Sequence, residues 1–193
     1  IEVGSVKTRQ IAPDYTVVRI SQFQTHTGRD LTNALIKLKE TQPTLKGIIL
    51  DLRNNPGGVL GGAISVADAF IDKGLVVYTK ARTEESVEKF EATEGQILPN
   101  IPLLVLVNGG SASASEIVAG ALQDHHRAII AGTSTFGKGS VQTVLPISED
   151  KGIKLTTARY YTPNGRSIQA EGIKPDVLIE PAKLEIAKAS DNF

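Results

Sequence analysis

The sequence predicts an α/β fold, a core with a mostly parallel sheet and βαβ crossovers, followed by a β-rich C-terminal part. Between residues 16 and 132, short apolar runs typical of buried strands alternate with segments that have the apolar spacing of helices. Such alternation indicates βαβ crossovers. From Val141 onward the pattern changes to three β-type segments without helices, VQTVLPIS, GIKLTTARYYT and PDVLIE.

The individual elements follow from apolar periodicity and from helix-ending residues. Strands are predicted over Thr16–Phe23, Gly47–Leu52, Leu75–Thr79, Ile101–Asn108 and Arg127–Gly132. Helices are predicted over Arg29–Thr41, Leu60–Asp72 and Ser111–Asp124. The first helix has apolar residues at i, i+3, i+4 and i+7, and Gly74 is expected to end the second. The polar segment Thr83–Asn100 is interpreted as a surface excursion, and Pro181–Phe193 as a short helix or tail.

Composition excludes several classes of protein. The 193 residues fit one domain. Lys+Arg and Asp+Glu both number 21, so there is no electrostatic case for binding nucleic acid. The absence of cysteine excludes thiol catalysis, disulfides and cysteine-ligated zinc. The longest apolar run, Ile101–Val107, is too short to span a bilayer. The chain opens at Ile1 without Met or a leader pattern, and is interpreted as an excised or processed piece.

Three loops follow three predicted buried strands. They are Arg53–Gly58 (RNNPGG), Gly109–Ser115 (GGSASAS) and Thr133–Ser140 (TSTFGKGS). In open α/β sheets, ligand and catalytic groups gather beyond the carboxyl ends of the parallel strands. We therefore expect the three loops to meet at one edge of the sheet.

The serine-rich loop has two interpretations. Two glycines after a strand permit a sharp turn, and a serine at the start of the next helix lies where free N–H groups can stabilise an oxyanion. However, Ser113-Ala114-Ser115-Glu116 is also a capping box, with serine at the N-cap and glutamate three residues later. The tetrapeptide alone does not decide between a nucleophile and a cap.

A lysine between glycines, Lys138, is the candidate base. A free lysine has a pKa of about 10.4 and is charged near neutrality, so a base lysine has to be held neutral by burial. The alternative is a solvated lysine in a glycine loop. Of the three histidines, His125 and His126 lie at the far end of the helix that begins at Ser113, about 18 Å away. His26 lies in a polar turn before the first helix. A serine–lysine pair is therefore favoured over a histidine triad.

The lysine loop also matches a phosphate-binding motif. Residues Gly132–Lys138 fit G-x-x-x-x-G-K after a strand. However, Gly139 occupies the position of the magnesium-binding Ser/Thr, and the sequence continues as a strand where phosphate binding needs a helix N-terminus. Asp51 is the one acidic residue that could be proposed as a second magnesium ligand. The nucleotide-binding interpretation is therefore weak.

Taken in order, LDLRNNPGG, NGGSASASEIVAGALQD, GTSTFGKGSVQT and KLTTARYYTPNGRSIQAEGIKPD closely resemble the C-terminal processing (tail-specific) serine peptidases. The likeness runs from about Val6 to Val177. It implies that Ser113 is the nucleophile and Lys138 the general base. It also implies that Gln142 orients the lysine. The implied oxyanion-hole donors are the N–H groups of Ala114 and of Gly58, which is preferred to Gly57.

The resemblance further implies a crotonase-like core in a peptidase domain over residues 1–180, with 181–193 as a tail. No metal or organic cofactor is expected. Polypeptide is the implied substrate, and residence in the periplasm or bacterial cell envelope is implied. Family members usually have a PDZ domain just upstream, which is absent from this sequence; a PDZ domain, an adaptor protein or an oligomer remain open as partners. The rival function within the same fold is a non-catalytic binding protein.

Overall fold

The structure is a computed structural model that describes residues 4–81, 86–148 and 150–180. Within those ranges it contains two β-sheets and three helices. In chain order the elements are β1 (Val6–Ala12), β2 (Tyr15–Ile20), α1 (Thr27–Thr41), β3 (Gly47–Asp51), α2 (Leu60–Asp68), β4 (Gly74–Ala81), β5 (Val87–Ala92), β6 (Leu103–Val107), α3 (Ala114–Asp124), β7 (Ile129–Gly132), β8 (Ser140–Ser148), β9 (Lys151–Tyr161) and β10 (Val177–Leu178).

The larger sheet has the strand order β1-β2-β3-β6-β7-β10. Every neighbouring pair from β2 to β10 is parallel, and only the edge strand β1 is antiparallel to its neighbour. The parallel pairs β2–β3, β3–β6 and β6–β7 are connected through α1, α2 and α3, respectively. Helix α2 packs against both α1 and α3. The predicted α/β class with a mostly parallel sheet is confirmed.

The smaller sheet has the order β5-β4-β9-β8 and is antiparallel throughout. This is the predicted β-rich C-terminal part, joined by β4 and β5 from the middle of the chain. β8 is an edge strand and begins two residues after Lys138. The smaller sheet therefore starts directly beside the lysine loop.

The core lies between the helices and the larger sheet. On α1 the apolar stripe predicted from the sequence is buried, with Leu31 and Leu35 at 0% exposure. The middle strands β3 and β6 contribute Leu50 and Val105, also fully buried. Burying one such side chain stabilises the fold by roughly 1.5–3 kcal/mol. The loops that follow β3 and β6 are thus attached directly to the buried core.

Three local predictions need correction. Helix α2 ends at Asp68 instead of Asp72, and Gly74, at φ 111°, begins β4 rather than ending the helix. The stretch interpreted as a surface excursion contains the strand β5, paired with β4. Strand β1 was not predicted. The expectation for Pro181–Phe193 concerns residues outside the described ranges. Among the described residues, no helix has the length and apolar character needed to cross a membrane.

Candidate active site

The three predicted loops meet at one edge of the larger sheet. Strands β3, β6 and β7 are adjacent and parallel, so their carboxyl ends, and the loops that follow them, lie side by side. Backbone hydrogen bonds connect the loops directly: Ala112 N donates to Asn55 O at 3.0 Å, and Phe136 N donates to Ser111 O at 3.0 Å. The predicted convergence is confirmed.

The serine-rich loop contains three serines, of which only the middle one is accessible. Ser111 and Ser115 are both 0% exposed. Their hydroxyl groups donate to backbone carbonyls of the preceding loop, Ser111 to Leu52 at 2.8 Å and Ser115 to Asn55 at 2.9 Å. Ser113 is half-buried. The outer serines therefore anchor the turn, and the middle serine is the one that a substrate could reach.

Ser113 has an uncommon backbone conformation, with φ 54° and ψ −112°. A non-glycine residue at positive φ is uncommon and strained, and such strain tends to occur at functional sites. Ser113 also immediately precedes α3, and its N–H donates to the Glu116 carboxylate at 2.7 Å. It is therefore a cap residue as well, but without the extended backbone that a helix N-cap ordinarily has. A strained serine at a strand-to-helix turn is the arrangement that exposes the nucleophile of α/β-hydrolases.

Glu116 connects the serine turn to the lysine loop. Its side chain is fully buried, at 0% exposure. One oxygen, Oε2, accepts hydrogen bonds from Ser113 N at 2.7 Å and Lys138 N at 2.8 Å. The other, Oε1, accepts from Thr135 Oγ1 and Gly137 N, each at 2.6 Å. The backbones of Ser113 and Lys138 are thus fixed against the same oxygen atom, although the residues are far apart in sequence.

The lysine loop is further held from behind by the segment 168–173. Thr135 Oγ1 accepts from Ile173 N at 2.7 Å, and Gly137 O accepts from Ala170 N at 2.8 Å. A Cβ at Gly139 would collide with the backbone of Gln169. Glycine is therefore required where the loop passes closest to this segment.

The Lys138 side chain itself is exposed. The burial expected from the sequence is therefore wrong for this chain: the loop fixes the lysine backbone but leaves the residue exposed. Gln142, the residue expected to orient the amine, lies on β8 and is also exposed. Its side chain has no hydrogen bond to any part of the described chain. Lys138 and Gln142 are thus four residues apart in the chain, but no hydrogen bond joins their side chains in the described structure.

Two backbone N–H groups lie near Ser113 without a protein acceptor among the described residues, those of Gly58 and Ala114. The N–H of Gly57 is already used, since it donates to Asn55 Oδ1 at 2.9 Å. Gly57 packs against the serine turn so closely that a Cβ there would lie 2.9 Å from both Ala114 N and Ser113 Cβ. The geometry therefore favours Gly58 over Gly57 as an available donor beside Ala114.

Gly58 itself is positioned by Phe23. Phe23 N donates to Gly57 O and Val59 N donates to Phe23 O, each at 2.9 Å. These bonds leave the peptide N–H of Gly58 directed away from Phe23, as in a parallel bridge. Gly58 has φ 144°, and a Cβ there would collide with the carbonyl of Phe23.

Asn55 supports the same loop from inside. It is 0% exposed, and its Nδ2 donates to Ile20 O at 2.9 Å. With the bond it accepts from Gly57 N, this side chain links the loop to β2. Neither Asn55 nor Glu116 was singled out from the sequence as a site residue. The one available signal was a glutamate among the small and apolar residues of SASEIVAGAL.

The start of the first loop carries a charge cluster. Asp51 is 4% exposed and binds Arg53 and Arg19, whose closest contacts with it are 2.8 and 2.9 Å. Burial raises the pKa of Asp51, but the hydrogen bonds from Arg53 and the two arginine charges outweigh burial, so the pKa is lowered overall. Since both arginines occupy its carboxylate and the lysine loop continues into strand β8, the structure argues against a nucleotide site.

The histidines are not part of this edge. His125 follows α3 as its C-cap residue, and its Nε2 lies 2.7 Å from Leu75 O. His26 precedes α1. A Ser–His arrangement around Ser113 is not formed.

Comparison with known proteins gives a consistent result. The profile of Peptidase family S41 matches residues 14–179. The chain is 51% identical over 193 residues to a carboxy-terminal-processing protease of Bartonella bacilliformis, covering 99% of this chain and 44% of that protein. It is 43% identical over 171 residues to a carboxyl-terminal-processing protease of Synechocystis sp., covering 89% and 39%.

Among solved structures, the photosystem II D1 C-terminal processing protease is similar, with a TM-score of 0.85 and 34% identity. That similarity covers 93% of this chain and 49% of the other. The chain thus spans less than half the length of the relatives it matches.

Proposed function

Because this chain belongs to peptidase family S41, we propose that it is the catalytic part of a serine endopeptidase of the C-terminal processing type. In this proposal Ser113 is the nucleophile and Lys138 the general base. The observation that carries it is the strained turn at Ser113, with φ 54° and ψ −112°, beside two N–H groups that have no acceptor in the described chain.

The chemistry follows from these positions. The neutral amine of Lys138 takes the proton from Ser113 Oγ as the oxygen attacks the carbonyl carbon of a peptide bond. The N–H groups of Gly58 and Ala114 stabilise the resulting oxyanion, and such donors contribute on the order of 10²–10³ in rate. Lys138 then protonates the leaving amine. Water, activated by the same amine, hydrolyses the ester on Ser113.

The proposal requires Lys138 to be desolvated during catalysis. The side chain is exposed in this chain, whereas a lysine that acts as a base has to be neutral, a form that burial favours. A bound peptide, or another part of the full-length protein, would have to cover it. Gln142 lies on β8, four residues after Lys138 in the chain. It is proposed to hydrogen-bond the Lys138 amine once the amine is covered.

The proposed substrate is extended, unstructured polypeptide of the cell envelope. The edge strand β8, which follows Lys138, has its outer backbone groups available in the described chain, and an extended peptide can add to such an edge. Cleavage after small or apolar residues, location in the periplasm or bacterial cell envelope, and control by a PDZ domain or adaptor all belong to this proposal.

Labelling with a serine-reactive fluorophosphonate tests the assignment. We expect a single modified residue, Ser113, and no labelling of the Ser113→Ala variant. Ser111→Ala and Ser115→Ala serve as controls and should still be labelled. Ser115→Ala loses one hydrogen bond and about 1 kcal/mol of stability, and Ser111→Ala loses two hydrogen bonds and about 2 kcal/mol. If Ser113 were not labelled even within the full-length protein, although that protein still bound polypeptide, the chain would be a binding protein of this fold.

A further inference from the structure

One face of the smaller sheet carries two cations directly opposite each other. Tyr78 on β4 and Tyr161 on β9 are a cross-strand pair whose rings stack with centroids 5.3 Å apart. The Lys80 ammonium lies 5.5 and 5.2 Å from the two ring centroids. Arg159 is the direct cross-strand partner of Lys80, and paired residues of an antiparallel sheet project from the same face.

Among the described residues, these cations lack a carboxylate partner. Within residues 4–81, 86–148 and 150–180, no acidic side chain forms an ion pair with Lys80 or Arg159. The nearest acid on β5, Glu88, is paired with Thr79 and therefore belongs to the opposite face. Like charges placed directly opposite are destabilising, and an anion between them would remove the repulsion.

The face is open. A groove of about 460 Å³ is lined by Lys80, Arg159, Tyr161 and neighbouring residues of β9. Lys89, the partner of Tyr78 on β5, adds a third positive charge beside the tyrosines. The guanidinium and ammonium groups can donate hydrogen bonds to both oxygens of a carboxylate.

The same face lies close to the proposed active site. Arg159 is paired with Ser140, which is two residues from Lys138. Tyr160 N also donates to Gly139 O at 2.7 Å. Strand spacing places the backbones of Arg159 and Lys80 roughly 8 and roughly 12 Å from the backbone of Lys138, within a span of about four residues of extended peptide.

We propose that Lys80 and Arg159, supported by the stacked tyrosines, form a subsite for a carboxylate of the polypeptide substrate, three or four residues from the bond that is cleaved. The inference rests on the proposed function, because it takes Ser113 as the point of cleavage. The carboxylate can come from the free C-terminus of the substrate or from an acidic side chain.

Binding is measured on the Ser113→Ala chain, so that no peptide is consumed. Three fluorescent ten-residue peptides share one neutral sequence: the first ends in a free carboxylate, the second in an amide, and the third in an amide with one internal glutamate. Fluorescence anisotropy should show the amide without glutamate binding roughly fivefold more weakly than whichever carboxylate peptide fits the subsite. Added salt should reduce that difference.

Lys80→Gln and Arg159→Gln should remove the preference for a carboxylate. The matched control is Lys154→Gln, an exposed lysine of β9 that is paired with Val144 and lies five residues along the strand from Arg159; it should leave the preference intact. Tighter binding of the free C-terminus assigns the α-carboxylate, and tighter binding of the glutamate peptide assigns an acidic side chain.

Equal binding of all three peptides, no binding of any, or equal effects of the Lys80, Arg159 and Lys154 variants would overturn the subsite. Failure of the proposed function gives a different result. In that case fluorophosphonate would not label Ser113 in the otherwise wild-type chain, while the carboxylate preference could persist. Labelling of Ser113 should be unchanged in Lys154→Gln.

Discussion

Replacing Glu116 by glutamine should loosen the connection between the serine turn and the lysine loop. The carboxylate is fully buried and accepts two hydrogen bonds at each oxygen. Glutamine has the same shape, but its NH₂ group is a donor and must face two of the four donors. Either Ser113 and Lys138, or Thr135 and Gly137, then lose their acceptor.

The magnitude follows from the number of bonds lost. A hydrogen bond to a charged group contributes roughly 1.5–3 kcal/mol, so two lost bonds set an upper range of about 3–6 kcal/mol. Because the loop can relax, we expect the free energy of unfolding to fall by about 3 kcal/mol, which a domain with a stability of about 5–15 kcal/mol tolerates. A displacement of about 1 Å at the reacting groups lowers turnover by about 10²-fold.

The assay combines urea unfolding, followed by circular dichroism, with the rate of fluorophosphonate labelling and the turnover of an unfolded protein. Glu40→Gln, the same change at an exposed position of α1, is the control and should match the wild type in all three. If Glu116→Gln unfolded at the wild-type urea concentration and was labelled at the wild-type rate, the four hydrogen bonds would not have the role inferred for them.

Three other predictions use the same measurements. Lys138→Arg should be as inactive as Lys138→Ala, because a guanidinium does not act as a base near neutral pH. Wild-type turnover should rise on the alkaline side of neutrality. Substantial turnover by the arginine variant would exclude the Ser–Lys mechanism. Gly57→Ala should lower turnover about 10²-fold, because the added Cβ would lie 2.7 Å from Ala112 O, and unchanged turnover would contradict the close packing. Asp51→Asn should reduce stability at neutral pH by about 2 kcal/mol, since it loses charged hydrogen bonds. The pKa of Asp51 is lowered in the folded state, so its stabilisation is complete above the unfolded pKa of about 3.9 and disappears as the pH falls through the folded value. A stability difference that stayed constant as the pH fell below the unfolded pKa would refute this cause.

The elements that could be predicted from the sequence are those whose buried residues follow a local apolar pattern. Helix α1 has one buried stripe of leucines, and β3 and β6 are continuous apolar runs, as expected for helices and strands that pack against a core. Strands β1 and β5 were missed because most of their residues are exposed. Their conformation is set by pairing with β2 and β4, which no local pattern reveals.

The site could be predicted only in part for a related reason. The loops at the strand ends follow from the parallel order, which periodicity predicts. Glu116 and Asn55 bind residues that are distant in the sequence. Thr135 lies 19 positions from Glu116, and Ile20 lies 35 positions from Asn55. In the sequence, Glu116 is equally well explained as the end of a capping box, and the structure shows that it fills both roles.

The exposed side chain of Lys138 contrasts with the fixed backbone of the rest of the site. The buried Glu116 carboxylate fixes the backbones of Ser113 and Lys138, so the proposed nucleophile is arranged before substrate arrives. The Lys138 side chain differs, because its loop leaves it exposed. In the proposed mechanism, covering this side chain favours the neutral amine that acts as the base. Substrate that lies along β8 would provide that cover at the same position where it presents its peptide bond, which couples base activation to polypeptide binding.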